Sequence, residues 1–295
     1  MVVAIEQRQV GDNFVIFGPA APSASRIGIY AYGGCHLHAL FACAPLIQQV
    51  LKGTCCILHE GMMADTRSDL ILQTLEDLPQ EWLDPVIEKL HLEAGSFRSR
   101  LFTDSITVPG PDGPQEFPKA VIVLHIGADS NGRIVYRHRK HGFLVDPGGG
   151  WLKSVNSILG DLSSIAWFRE QFEVVGPVSM DAFVANYTRI IRLLRERTDA
   201  RIMVFNTLTV EPGGVTHNYQ FLKNPHPIRW REFNIALLEL SRQLDFPVVD
   251  LDWILKRSGI RTQTEFAHFL PGQNMFIAHE VFRVMRDLGV FEGSA

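Results

Sequence analysis

Five segments of the chain are apolar almost without interruption: Arg26 to Tyr32, Thr54 to His59, Lys119 to Ile126, Arg201 to Asn206 and Phe246 to Leu251. Runs of this kind, without strict polar alternation, predict strands covered on both faces, as in a parallel sheet flanked by helices. The segments between them carry the helical period instead. Phe183, Tyr187, Ile190, Ile191 and Leu194 fall on one stripe, and Phe233, Ala236, Leu237, Leu240 and Leu244 on another. Each of these stripes ends just before a strand. A last helix is expected after Pro271-Gly272, burying Met275, Ala278, Phe282 and Met285 and stopping at Gly289 in a left-handed cap.

Strand and helix alternating in this way predict an α/β chain: a doubly wound, five-stranded parallel sheet of flavodoxin-like order 2-1-3-4-5, with helices on both faces. Its site is then expected at the carboxyl ends of the strands. Two stretches exceed the minimal pattern, Arg67 to Pro118 with its VPGPDGPQEFP and Asn131 to Met180 with its DPGGG. They are expected as insertions at the active-site edge, where long connections form walls and lids. Residues 1–25, ending in GPAAPSAS, are expected as an N-terminal extension, and residues 26–295 as one domain.

Composition narrows the partners. With 295 residues, 46% of them apolar, the chain can bury a sizeable core. A formal net charge of −4 gives no global reason to expect nucleic acid or an anionic membrane. No run of about 18 apolar residues exists, and Glu6, Arg8 and Asp12 interrupt the apolar opening, so neither a membrane span nor a signal peptide is readable. The four cysteines, Cys35, Cys43, Cys55 and Cys56, lie in one short stretch, which suits thiols in a reducing compartment better than a disulfide framework. A cytoplasmic location is therefore the expectation.

Among those thiols Cys35 stands apart. The first strand runs into Gly33-Gly34-Cys35-His36 and then into the helix-like LHALFACAPLIQQVL. Glycines allow a sharp turn, and a cysteine at a helix mouth meets unpaired amides and the positive end of the dipole, both of which favour thiolate. Cys43, Cys55 and Cys56 sit in apolar surroundings that suit inert packing.

From Arg26 onward, apart from the two insertions, the sequence resembles the SGNH/GDSL hydrolase superfamily block by block. Gly33-Gly34-Cys35 is similar to the Gly-Asp-Ser turn that carries the family's nucleophile, with a thiol in place of the hydroxyl. Gly61-Met62-Met63-Ala64-Asp65-Thr66 resembles the turn after the second strand, which places the Ala64 amide in the oxyanion hole. Gly127-Ala128-Asp129-Ser130 stands where the family has Gly-x-Asn-Asp. An ionised Asp129 accepts hydrogen bonds and cannot donate one to an oxyanion, so it must be protonated, replaced by Ser130 or Asn131, or serve another purpose. Glu265-Phe266-Ala267-His268 resembles the closing Asp-x-x-His, which implies His268 as base and Glu265 as its orienter. Gly34, His36 and Asn206 complete the expected oxyanion and substrate-binding positions. The Gly-Gly-Cys turn looks in kind like that of GSCFA-type proteins and of a CoA-dependent acetyltransferase group from capsule biosynthesis.

Chemically, a cysteine, a histidine and a carboxylate form a sensible set even apart from the resemblance: the thiolate attacks, the imidazole moves the proton and the carboxylate fixes the tautomer. The expected function is acyl transfer through a thioester, as an acyltransferase or an ester or thioester hydrolase. No tightly bound cofactor and no metal are expected; CoA or a phosphopantetheine thioester is the expected donor type, and an acyl carrier protein a candidate partner. The basic run Arg137-His138-Arg139-Lys140-His141 could grip a phosphate of such a donor or simply be a solvated loop. A different class of reading is a catalytically silent member that binds a ligand or partner in the same crevice. A nucleotide binder is a third, weakened because Gly148-Gly149-Gly150-Trp151-Leu152-Lys153-Ser154 has the wrong glycine-to-lysine spacing for a phosphate loop.

Overall fold

The structure, a computed structural model, describes residues 7–10, 14–18, 25–59, 66–76, 78–90, 97, 105–110, 113–146, 161–209, 226–258, 272 and 274–292. It is mixed α/β with a mostly parallel central sheet. The buried apolar runs form the parallel strands β3 (Ser25–Tyr32), β4 (Thr54–His59), β6 (Gly113–His125), β10 (Arg201–Phe205) and β11 (Val248–Val249). They are neighbours in the order β4-β3-β6-β10-β11.

Among the described residues the sheet has eight strands, against the five expected. β1 (Gln7–Val10) and β2 (Phe14–Phe17) form an antiparallel pair, and β2 lies antiparallel to β4. Within the expected N-terminal extension, β1 and β2 therefore extend the sheet. β5 (Ser105–Gly110) pairs antiparallel with the first half of β6, Pro109 opposite Pro114 and Gly110 opposite Gly113. The two described arms of the proline-rich VPGPDGPQEFP are thus paired strands. Prolines are tolerated there because an edge position asks for no N–H from them.

Helices cover both faces. On one side α6 (Met180–Arg197) and α7 (His226–Leu244) bury Phe183, Tyr187, Ile190, Ile191, Leu194, Phe233, Leu237 and Leu240 against Tyr30, Ile122, Leu124 and Val204. On the other side α1 (Ala39–Val50), α8 (Leu251–Ser258) and α9 (Asn274–Asp287) pack on Ile29, Ala31, Val121, Val123, Met203 and Phe205. The buried stripe of α9 is Ile277, Ala278, Val281, Val284 and Met285, whereas Met275, expected inside, is exposed and Phe282 only partly buried. The stripe is rotated because the helix packs through its β-branched residues. Gly289 does end it with positive φ, and the Val290 N–H closes back on the Met285 carbonyl.

The second insertion builds a smaller layer of its own. β7 (Val135–His138), β8 (Leu144–Val145) and β9 (Phe172–Val175) form an antiparallel sheet in the order β8-β7-β9. With α3 (Gln80–Leu90) and α5 (Leu162–Gln171) it encloses Leu83, Val86, Phe143, Val145, Phe168 and Phe172. Among the described residues no helix is long and apolar enough to cross a membrane.

Candidate active site

At the carboxyl end of β3 the chain turns through Gly33, whose φ of +145° is a conformation side chains rarely adopt. Cys35–His38 then form a short 3-10 turn, opened by the Leu37 N–H bonding the Gly34 carbonyl at 3.0 Å, and this turn leads directly into α1. Cys35 is thus the first residue of a strand-to-helix turn at the end of a central parallel strand. Its side chain lies outside the described residues.

Beneath the turn sits His125, the last residue of β6 and fully buried. Its Nδ1 accepts the Gly34 N–H at 3.0 Å, and its Nε2 meets the His36 Nδ1 at 3.1 Å. The two rings stand edge to face with centroids 4.9 Å apart. Two glycines make room for this residue. A Cβ on Gly33 would lie 2.4 Å from the His125 Cβ, and one on Gly127 would lie 2.2 Å from Cε1. Burial holds the His125 pKa well below its ordinary value; His36 beside it adds to the effect, and the Asn206 backbone opposes it. The Gly34 N–H, expected at the oxyanion or substrate, is committed to His125 in this arrangement.

Asp129 follows the end of β6, and its side chain is engaged away from that turn. It lies in the one-turn helix α4 (Gly127–Ser130), is 0% exposed, and turns its carboxylate to α2 (Ser68–Thr74). There it accepts the Ser68 N–H at 3.1 Å and the Ser68 hydroxyl at 2.9 Å. The Asn186 amide donates to that same hydroxyl at 3.1 Å. Burial raises the Asp129 carboxyl to about 7, opposed by its bonds to Ser68 and by Arg67 and reinforced by Asp69. This is a helix N-terminus satisfied by a carboxylate, and the group is neither exposed nor unpartnered. Ser130 bonds its hydroxyl to the Gly127 carbonyl at 3.1 Å. Arg229 ties the backbone down, donating to the carbonyls of Asp129 at 2.7 Å, Ser130 at 3.1 Å and Val178 at 2.6 Å.

Asn206 is likewise engaged internally. Its amide donates to Asp250 at 2.9 Å, and its oxygen accepts the N–H of Leu251, the first residue of α8, at 2.7 Å. Asp250 in turn accepts the Trp253 N–H at 3.1 Å. Asp252 accepts from both the amide and the hydroxyl of Thr209. In the basic run, Arg137 and Arg139 reach Glu173 at 3.8 and 3.5 Å, while His138 is buried against Phe143 and Phe172.

Cys43, Cys55 and Cys56 are buried. Burial pushes the Cys43 thiol up to about 12 and the Cys56 thiol well above its ordinary value, with Cys43 and Cys55 adding to the latter. Both are protonated and unreactive at neutral pH. Ala64, Glu265 and His268 lie outside the described residues. No group of three or more metal-ligating side chains occurs among the described residues.

No protein-family model matches the chain, and no curated protein matches it. Solved structures do align with it over most of their length. An acetylxylan esterase from Geobacillus stearothermophilus aligns at 8% identity with a TM-score of 0.47, covering 90% of this chain and 96% of the other. A member of the lipolytic protein G-D-S-L family from Veillonella parvula aligns at 9% identity with a TM-score of 0.42, covering 88% and 97%. At these identities and scores neither alignment transfers a residue's role to this chain.

The residue that the sequence reading passed over is His125. It reads as the polar end of an apolar strand, and a lone histidine there usually signals nothing. The signal that does exist is relational. If the first and third parallel strands are neighbours, a histidine at the end of one faces the glycine turn at the end of the other.

Proposed function

We propose that this chain is a cysteine-dependent acyltransferase or acyl hydrolase, with Cys35 as nucleophile. The observation that carries the reading is the position of Cys35: first residue of a turn that leaves a central parallel strand through a positive-φ glycine and enters a helix. In doubly wound sheets that edge is where ligands bind. The resemblance of four motifs, in order, to SGNH/GDSL blocks supports the same chemistry.

The Cys35 thiolate attacks the acyl carbonyl carbon, forming a C–S bond and an oxyanion whose collapse expels the donor's thiolate or alkoxide. His268 takes the thiol proton and returns it to the leaving group, and Glu265 orients the ring. The thioester then passes its acyl group to an alcohol, an amine or water, whose proton His268 accepts. The Ala64 amide is the donor proposed for the oxyanion, since Gly34 and Asp129 are committed elsewhere. An acyl-CoA or a phosphopantetheine thioester is the proposed donor.

The reading is tested by turnover of acetyl-CoA and of p-nitrophenyl acetate. Cys35→Ala should abolish turnover of both, and His268→Ala should slow the acylation step by roughly 10²–10⁴. Unchanged turnover in Cys35→Ala contradicts the proposal. One observation favours the silent, ligand-binding alternative: the position of the family's donor asparagine is held by an aspartate turned to Ser68. Absence of turnover in the wild-type protein, together with saturable binding of acetyl-CoA, is the result that selects it.

A further inference from the structure

We infer that His125 is a positioning residue for Cys35: one imidazole holds the residues on both sides of the nucleophile, Gly34 through its backbone N–H and His36 through its ring. The inference rests on Cys35 as the reactive thiol, while the geometry behind it is independent of that assignment.

The hydrogen bonds determine where the protons are. Nδ1 accepts from the Gly34 N–H and therefore carries no proton. The neutral ring then has its proton on Nε2, which donates to the His36 Nδ1. His36 in turn is the tautomer with its proton on Nε2. The pair is thus polarised in one direction, from Gly34 through His125 to His36, with each proton assigned by the bond before it.

The surroundings keep this ring from leaving. Gly127 lies so close that it could not carry a Cβ without striking the ring, Gly33 lies similarly close to the His125 Cβ, and the residue before Cys35 is bonded to the ring. Holding the Gly34 N–H inward fixes the backbone direction in which the chain enters Cys35. That direction sets whether the thiol meets the amides that open the turn, and so its thiolate fraction.

The same bonds make the turn sensitive to acid. A doubly protonated His125 presents N–H to N–H at Gly34, which breaks the contact. Among the described residues, the titratable group facing the ring is His36, from the 3-10 turn; from the β10 side it meets the Asn206 backbone, and Gly127 lies against the ring. Because burial holds the His125 pKa well below its ordinary value, that break, and any loss of Cys35 labelling beyond one thiol titration, comes only in acid well below the ordinary histidine range.

Two measurements test this. In wild-type protein labelled with nitrogen-15 histidine, NMR near neutral pH should show His125 Nδ1 unprotonated and Nε2 protonated. Peptide-resolved iodoacetamide rates on Cys35 are then compared in wild type, His125→Asn and His125→Leu between about pH 5.5 and about pH 8.5. Asparagine keeps an acceptor near the Nδ1 position, so His125→Asn should label within about threefold of wild type, whereas His125→Leu should label about tenfold slower. Protection of Cys43 and Cys56 in the same digest reports that the fold is intact. A proton on Nδ1 in wild type overturns the inference. So does a folded His125→Leu that labels Cys35 at the wild-type rate, or a His125→Asn that falls as far as a folded His125→Leu. If His125→Leu exposes Cys43, the wild-type tautomer and His125→Asn decide. A wild-type Cys35 no faster than a cysteine in an unstructured peptide, with the tautomer as expected, removes the nucleophile reading and leaves the positioning geometry standing.

Discussion

The Asp129 carboxylate accepts the N–H and the hydroxyl of Ser68 together, 61 residues away in sequence, and so closes the N-terminus of α2 against the end of β6. Its burial has a thermodynamic consequence. The folded-state carboxyl is raised to about 7, so its neutral form is favoured in the fold. A raised acid contributes stability that is fully present below the unfolded value of about 3.9 and is lost as pH rises through about 7. Asp129→Asn keeps a neutral acceptor for Ser68, so its melting temperature relative to wild type should rise from pH 5 to pH 8. Thermal melts of both proteins at the two pH values check this; a pH-independent difference counts against a buried, titrating carboxyl.

Arg67 should be among the costliest polar side chains to remove. It is 1% exposed, pairs with Asp69 at 2.6 Å, and donates to the carbonyls of Arg133 at 2.7 Å and Gly176 at 2.9 Å. One guanidinium thus joins α2 to the end of the small antiparallel layer where β7 begins and β9 finishes. Arg67→Met leaves those carbonyls and the half-buried Asp69 carboxylate without their donor, and is expected to lower stability by about 3–5 kcal/mol in urea titration. A loss below about 1 kcal/mol contradicts the assignment.

Two glycine-to-alanine changes separate backbone strain from collision. Gly142 has φ +77° with nothing within 4 Å of its would-be Cβ, so Gly142→Ala should cost about 1–2 kcal/mol and leave Cys35 labelling alone. Gly127→Ala drives a methyl into the His125 ring. It should destabilise by about 1–3 kcal/mol and also slow Cys35 labelling. Equal labelling in the two folded variants shows that the ring can move without consequence for the turn.

What the sequence made legible was the part of the fold with strong periodicity. The runs at Ile27–Tyr32, Cys55–Leu58 and Val121–Leu124 are buried on both faces and read as parallel strands for that reason. The antiparallel additions were hidden. β8 has two residues and β7 and β9 four each, too few for a period to register, and β5 ends in the Pro109-Gly110 that reads as a loop. The turn at Cys35 was legible because glycine spacing and strand-to-helix context are local. His125 was not, because its meaning depends on which strand lies beside it. The bonds of Asn206 were equally hidden: it sits at a strand end, and its amide bonds Leu251 and Asp250 at the start of α8, two residues more than forty positions away. The roles proposed for His268, Glu265 and Ala64 fall on residues outside those described.

The central claim is that Cys35 carries the acyl group, and the most direct measurement is to trap it there. The protein is mixed with acetyl-CoA, quenched in acid within the first turnovers to preserve a thioester, digested and analysed by mass spectrometry. The account predicts one acetyl increment, on the peptide containing Cys35, removed by neutral hydroxylamine as a thioester is and absent from Cys35→Ser at the same quench time. An acetyl group on any other residue under active turnover, with the Cys35 peptide unmodified, contradicts it.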